Sequence, residues 1–112
     1  QKIQLVSQCR GMLAPSVWKE PLGLVTYEAQ DYSRPMFAAA SGGLKETTID
    51  EVTGFLHEPG NSAQLAEQII AYEGKTCDQR EQIGRAARAH VLKEASPEKW
   101  KEAFRKVVES VV

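Results

Sequence analysis

The sequence predicts an α/β fold built on a parallel sheet with helices packed against it. Three observations predict it. Short apolar runs, MLAPS (12–16), PMFAAA (35–40) and GFLHE (54–58), are bounded by proline or glycine, which suits strands buried in a parallel sheet. Segments with helical apolar spacing lie between and after these runs, the order that gives strand–helix–strand units. The 112 residues are 42% hydrophobic and 26% charged, the balance of a globular domain long enough to build one core without disulfides or metals.

Each element follows from its residues. In QKIQLVSQCR, Ile3, Leu5 and Val6 form a short apolar face, read as a helix end closed near Gly11. MLAPS is the first strand, stopped by Pro15. Ser16 to Leu22 is expected as a loop, and about Leu22 to Tyr32 as a helix carrying Leu24, Val25, Tyr27 and Glu28, with Ala29 packed close. In PMFAAA, Pro35 can only open the strand, because it has no N–H for the ladder. Ser41-Gly42-Gly43 is a turn, and LKETTI (44–49) forms one or two helical turns. Asp50 to Gly54 is a second turn, and GFLHE is the third strand, ended by Pro59-Gly60-Asn61. Asn61 or Ser62 caps the next helix, and Gln64 three residues after Asn61 has capping-box spacing. Leu65, Ala66, Ile69, Ile70 and Tyr72 form its apolar face, and Gly74 closes it. A further helix runs from about Cys77 to Lys93, with Ile83, Ala86, Ala87, His90 and Val91 on one side. Ser96-Pro97 starts the last helix as N-cap and first-turn proline. Its stripe is Trp100, Phe104, Val107, Val108 and Val111.

The formal net charge is −1, which argues against a partner held by bulk electrostatics, nucleic acid above all. Residues 1–74 hold five Lys/Arg and nine Asp/Glu, whereas residues 75–112 hold nine and six. The basic half interleaves acids at helical spacing, the pattern of a solvated helix surface, with a phosphate or anionic-membrane patch as the alternative. Cys9 and Cys77 lie far apart and form no C-x-x-C, which predicts one buried and one partly exposed thiol, both free, in a reducing, cytoplasmic setting. His57 and His90 are isolated, so no zinc pattern can be built. No apolar stretch is long enough to span a bilayer and no signal peptide is visible. The chain starts in mid-pattern without Met, as a fragment would.

The stretch KEPLGLVTYEA (19–29) brackets a proline, a glycine and an apolar run with Glu20 and Glu28. Pro21 and Gly23 disfavour a continuous helix from Glu20. The better arrangement has Glu20 in a strand-to-helix loop and Glu28 on the second turn of the helix. Right-handed crossovers put every strand C-terminus on one edge, where ligands of such sheets bind. The helix N-terminus there favours phosphate, and Gly23 lets a ligand approach the backbone. Carboxylates accept hydrogen bonds from sugar hydroxyls, so two acids beside an anion-binding helix end suit a sugar–diphosphate–nucleoside. The plainer alternative is two helix-start acids that stabilise the dipole.

The segment PSVWKEPLGLVTYEAQDYSRPMFAAASGGLKETTIDEVTGFLHEPGNSAQLAEQI resembles the C-terminal domain of glycosyltransferase family 4, the retaining GT-B enzymes. The E-x7-E element is Glu20 to Glu28, after a strand ending in Pro-Ser. Gly42-Gly43 precedes Glu46, and Glu51-Val52-Thr53-Gly54-Phe55-Leu56 leads into Pro59-Gly60-Asn61 and the helix of Leu65-Ala66-Glu67. The resemblance covers roughly residues 3–93. It implies a Rossmann-like parallel sheet fragment flanked by helices. Residues 1–112 would be a partial nucleotide-sugar-binding domain, with an α/β portion 1–74 and C-terminal helices 76–112. Glu20 would contact the donor sugar near the reacting centre and act as the catalytic residue. Gly23 and Leu24 would offer backbone N–H groups to sugar or diphosphate, and Glu28 would bind the ribose.

The resemblance further implies retention at the anomeric carbon and no cofactor or protein-bound metal, in keeping with the absence of Asp-x-Asp. The partners it implies are a nucleotide-sugar donor and an N-terminal acceptor domain that is missing here. The chain alone would be inactive and could self-associate through uncovered strand edges or apolar helix faces. A non-catalytic transferase-like module, or a subunit of a split enzyme, is the alternative. Peripheral membrane attachment of the full-length protein is the alternative to a purely cytoplasmic location. The departures are Leu22 where Phe is common and Gln30-Asp31-Tyr32-Ser33-Arg34 in place of a glycine-containing turn, with Ser33 at the left-handed position. Trp18 is expected on the domain surface or at the donor cleft, and His57 at a strand end. Arg85 and Arg88 are expected on a solvated face. Trp100 and Phe104 are expected as core or inter-domain anchors.

Overall fold

The computed structural model describes residues 4–5, 8–16 and 24–111, with the backbone alone at Leu24. Ile3 and Val6, most of the expected 16–22 loop, Trp18, Glu20 and Gly23 lie outside the described residues. Three strands, β1 (Met12–Ala14), β2 (Met36–Ala39) and β3 (Gly54–His57), form a parallel sheet in the order β1-β2-β3. The helices are α1 (Leu24–Asp31), α2 (Leu44–Thr47), α3 (Ser62–Glu73), α4 (Cys77–Glu94) and α5 (Pro97–Ser110). Gln4, Leu5 and Gln8 are also helical. The predicted elements and their order are therefore present, with ends moved by a residue or two.

β2 is the central strand and all four of its residues are buried. Its alternation sorts the two faces. Met36 and Ala38 join Ala14, Ala29 and Leu44 on the α1/α2 side. Phe37 joins Phe55 and Tyr72 on the α3 side, with Leu65, Ile69 and Ile83 around them. The Phe37 and Phe55 rings stack at 5.2 Å, and Tyr72 meets both edge-on at 5.5 and 5.9 Å, the separations that aromatic quadrupoles favour. Opposite Met36 stands Gly54, where a Cβ would lie 2.4 Å from the Met36 carbonyl oxygen and 2.9 Å from its nitrogen. Only glycine lets β3 approach β2 there.

The caps follow local sequence, with one correction. Asn61 Oδ1 accepts from the Gln64 N–H at 3.0 Å, but the Gln64 side chain accepts from the Glu58 N–H at 2.7 Å instead of closing a capping box. The Asn61 N–H is occupied by the Glu58 carbonyl, which leaves Gln64 free to reach back to the strand exit. The complete box belongs to Thr76 and Gln79 at the start of α4. Ser96 caps α5 with Pro97 in its first turn, as expected. No residue of α5 is buried. Trp100 and Phe104 stack on each other at 5.3 Å while 65% and 56% exposed, so the predicted stripe exists but packs on no core among the described residues. A Lys99 hydrogen bond and charge hold the Glu94 carboxyl below its ordinary range and link α4 to α5.

His57 ends β3 and is 3% exposed, as a strand-end residue. Burial pushes its imidazole below the ordinary histidine value. The fold therefore favours the neutral ring, while the unfolded chain takes up a proton at higher pH. Stability is complete above the unfolded value and falls as pH drops below it.

Two predictions follow from this packing. Gly54→Ala is expected to destabilise the chain by about 2–4 kcal/mol, because backbone must move; Gly74→Ala, whose Cβ meets nothing closer than 3.5 Å, is expected to cost no more than about 0.5 kcal/mol. Urea denaturation compares them. The urea midpoint is also expected to drop between about pH 7 and pH 5, and His57→Gln, which cannot titrate, is expected to flatten that slope.

Candidate functional site

The carboxyl edge of the sheet carries the chain leaving β1 at Pro15-Ser16, the Ala40–Gly43 segment after β2, and His57-Glu58 after β3. α1 starts from this edge, because it follows β1 and returns the chain to the start of β2. Glu28 is the fifth described residue of α1 and half-buried. Leu24 is the first described residue of α1, at the end of the helix nearer the carboxyl edge. Of the four predicted site residues, the structure thus places Glu28 and the Leu24 backbone. Glu20 and Gly23 lie outside the described residues.

α1 is held along its length. Thr26, Ala29 and Gln30 on its inner face are fully buried. The Gln30 amide nitrogen donates to the Thr47 carbonyl at 2.8 Å, and its oxygen lies 3.2 Å from His90 Nδ1. One side chain therefore ties α1 to the end of α2 and to α4. At the helix end, Ser33 N–H bonds the Gln30 carbonyl and Arg34 N–H the Ala29 carbonyl, both at 2.9 Å, with Ser33 at φ 58°. This is the Schellman closure. The substitution of serine for glycine leaves the turn's shape unchanged and puts the left-handed strain, on the order of 1 kcal/mol, on Ser33.

α4 then locks that turn. A Cβ at Gly84 would sit 2.5 Å from the Ser33 carbonyl oxygen, so glycine alone permits the approach. Arg88 donates to the Asp31 carbonyl and lies 3.4 Å from its carboxylate. Expected as a solvated arginine, Arg88 instead neutralises the negative end of α1, with half its side chain still in solvent. Gln30, Gly84, Arg88 and His90 thus position the helix that carries Glu28. The available signal was Gln30 at i+4 from Thr26, a polar pair on a face expected to be apolar.

After β2, Ala40 N–H bonds the His57 carbonyl at 2.8 Å, and Gly42 takes φ 54°. The Leu44, Lys45 and Glu46 amides bond back to Ser41, Gly42 and Gly43 carbonyls at 3.1–3.3 Å. That stretch is a closed turn beside α1, and those three amides point inward. Among the described residues no group of three or more His, Cys, Asp or Glu is placed to hold a metal ion.

A model of the family described as "Glycosyl transferases group 1" matches residues 1–90. The chain is 36% identical over 88 residues to a D-inositol 3-phosphate glycosyltransferase of Mycobacterium leprae, spanning 76% of this chain and 20% of that one. It is 35% identical over 109 residues to the human alpha-1,3/1,6-mannosyltransferase ALG2, spanning 96% of this chain and 25% of that one. Anabaena Alr3699/HepE, crystallised with UDP and glucose, superposes with a TM-score of 0.85 at 29% identity, covering 96% of this chain and 29% of that one; its complex with UDP-glucose gives 0.84. The chain therefore spans about a fifth to a quarter of the length of these curated relatives. Its three-stranded parallel sheet and flanking helices are those of GT-B glycosyltransferases, and the chain belongs to the group 1 glycosyl transferases.

Proposed function

We propose that this chain is the donor-binding part of a retaining glycosyltransferase of family 4, acting on a nucleotide-sugar. The observation that carries the reading is Glu28 on a helix that starts at the carboxyl edge of a parallel sheet. The likeness to a protein crystallised with UDP-glucose supports the ligand class.

The chemistry divides along the ligand. Backbone N–H groups at the start of α1, those of Gly23 and Leu24 in this reading, would stabilise the diphosphate and the charge that grows on it as the sugar leaves. Glu28, one turn further on, accepts hydrogen bonds from ribose hydroxyls. Glu20 holds the hexose hydroxyls beside the anomeric carbon. The diphosphate charge is met by these amides and by cationic side chains, without a protein-held metal. The acceptor is supplied by a further domain, and the chain by itself does not turn over.

The test is ligand-observed NMR of the chain with UDP, GDP, ADP and their sugars, repeated with Glu28→Ala. One nucleotide class is expected to bind, and the variant to bind it about tenfold more weakly or worse, the loss of a hydrogen bond to a charged group. Equal binding by the variant, with its amide spectrum still dispersed, would remove Glu28 from the site. Silence from every nucleotide on a folded chain would favour a non-catalytic module.

A further inference from the structure

We propose that a second site, a cavity on the amino edge of the sheet lined by Arg10, Arg34, Arg80 and Arg85, binds a small phosphate-bearing anion. Arg10 and Arg34 each stand two residues before a strand, β1 and β2. They therefore lie at the opposite edge from the start of α1, beside its C-terminal turn. The cavity is about 500 Å³, a size that takes a small molecule and not a polymer. Ser33, Tyr72, Cys77 and Gly84 are among the other residues of its walls.

The arginines converge because of the fold. The bare Cα of Gly84 lets α4 close onto Ser33, which sets Arg34 next to Arg80 and Arg85 on the neighbouring turns of α4. Tyr72 records the convergence. Burial raises its phenol above the ordinary range, while Arg80, Arg34 and Arg10 pull it down and Glu73 pushes it up. Three guanidiniums thus act on one side chain from three separate segments.

The carboxylates paired with Arg10 and Arg85 are about half or more exposed. Glu81 is the one carboxylate among the lining residues, and it sits 3.6 Å from Arg85 with both side chains about two-thirds exposed. Glu73 lies 3.2 Å from Arg10, also largely in solvent. Such pairs are weak and exchangeable. Arg80 donates to the Glu73 and Lys75 carbonyls at 3.3 and 2.5 Å, which closes α3 and fixes the guanidinium. Those bonds use one of its terminal nitrogens and the other donates to Cys77 Sγ at 3.5 Å, which leaves part of the five donors that each guanidinium carries. A rigid fork of this kind matches phosphate oxygens in pairs.

The test uses amide and arginine side-chain NMR of the whole chain, titrated with inorganic phosphate and with methyl phosphate against sodium chloride at matched ionic strength. Saturable shifts are expected at Ser33, Arg34, Gly84 and Arg85, with a dissociation constant on the order of 1 mM. Arg85→Gln is expected to weaken binding by about fivefold or more, and Arg105→Gln on α5 to leave it unchanged. Tighter binding of the methyl ester would assign a phosphate ester, and equal binding free phosphate. Shifts that never saturate, that are matched by chloride, that respond alike to both substitutions, or that appear only at the start of α1 would overturn the proposal. None of these readouts depends on nucleotide binding.

Discussion

The rest of the structure depends on the burial of β2 from both sides. Its four residues have no solvent-facing side, so successive residues must satisfy the two layers in alternation. Met36 and Ala38 are matched to α1 and α2, and Phe37 to the aromatic trio with Phe55 and Tyr72. At roughly 25 cal/mol per Å² of apolar surface removed from water, two large aromatic rings and a methionine provide the main driving force of so small a sheet. The flanking strands differ. β1 leaves Leu13 54% exposed, whereas β3 is drawn tight to β2 by Gly54.

The consequence for function lies in α1. An eight-residue helix is too short to be stable on its own. Here it is held by Ala29 and Thr26 in the core, by Gln30 between two neighbours, and by Gly84 and Arg88 at its end. A helix fixed at its far end presents Glu28 in a defined position. The same contacts create the amino-edge arginine cluster, because the approach of α4 that closes α1 also brings Arg80 and Arg85 toward Arg34.

The outward stripe of α5 has a different status. Trp100, Phe104, Val107 and Val108 are 42–65% exposed, and Trp100 and Phe104 stack on each other. A stripe of this kind on a helix with no buried residue is larger than solubility favours.

Much of this was legible in the residues. Pro and Gly punctuation marked where strands could begin and stop, and helical spacing marked the three C-terminal helices. These features are local, so neighbouring residues suffice to read them. Other features needed the tertiary structure. The Gln64 side chain turns to Glu58, Arg88 becomes a helix cap 57 residues away from Asp31, and His90 meets Gln30. Gly84 and Ser33 look unrelated in sequence and touch in space. The sequence by itself determined the elements, their order and the chemistry available at each edge, because those depend on periodicity and backbone restriction. Only the tertiary structure decided which polar groups pair and which cations converge, because long-range packing selects partners that no local spacing encodes.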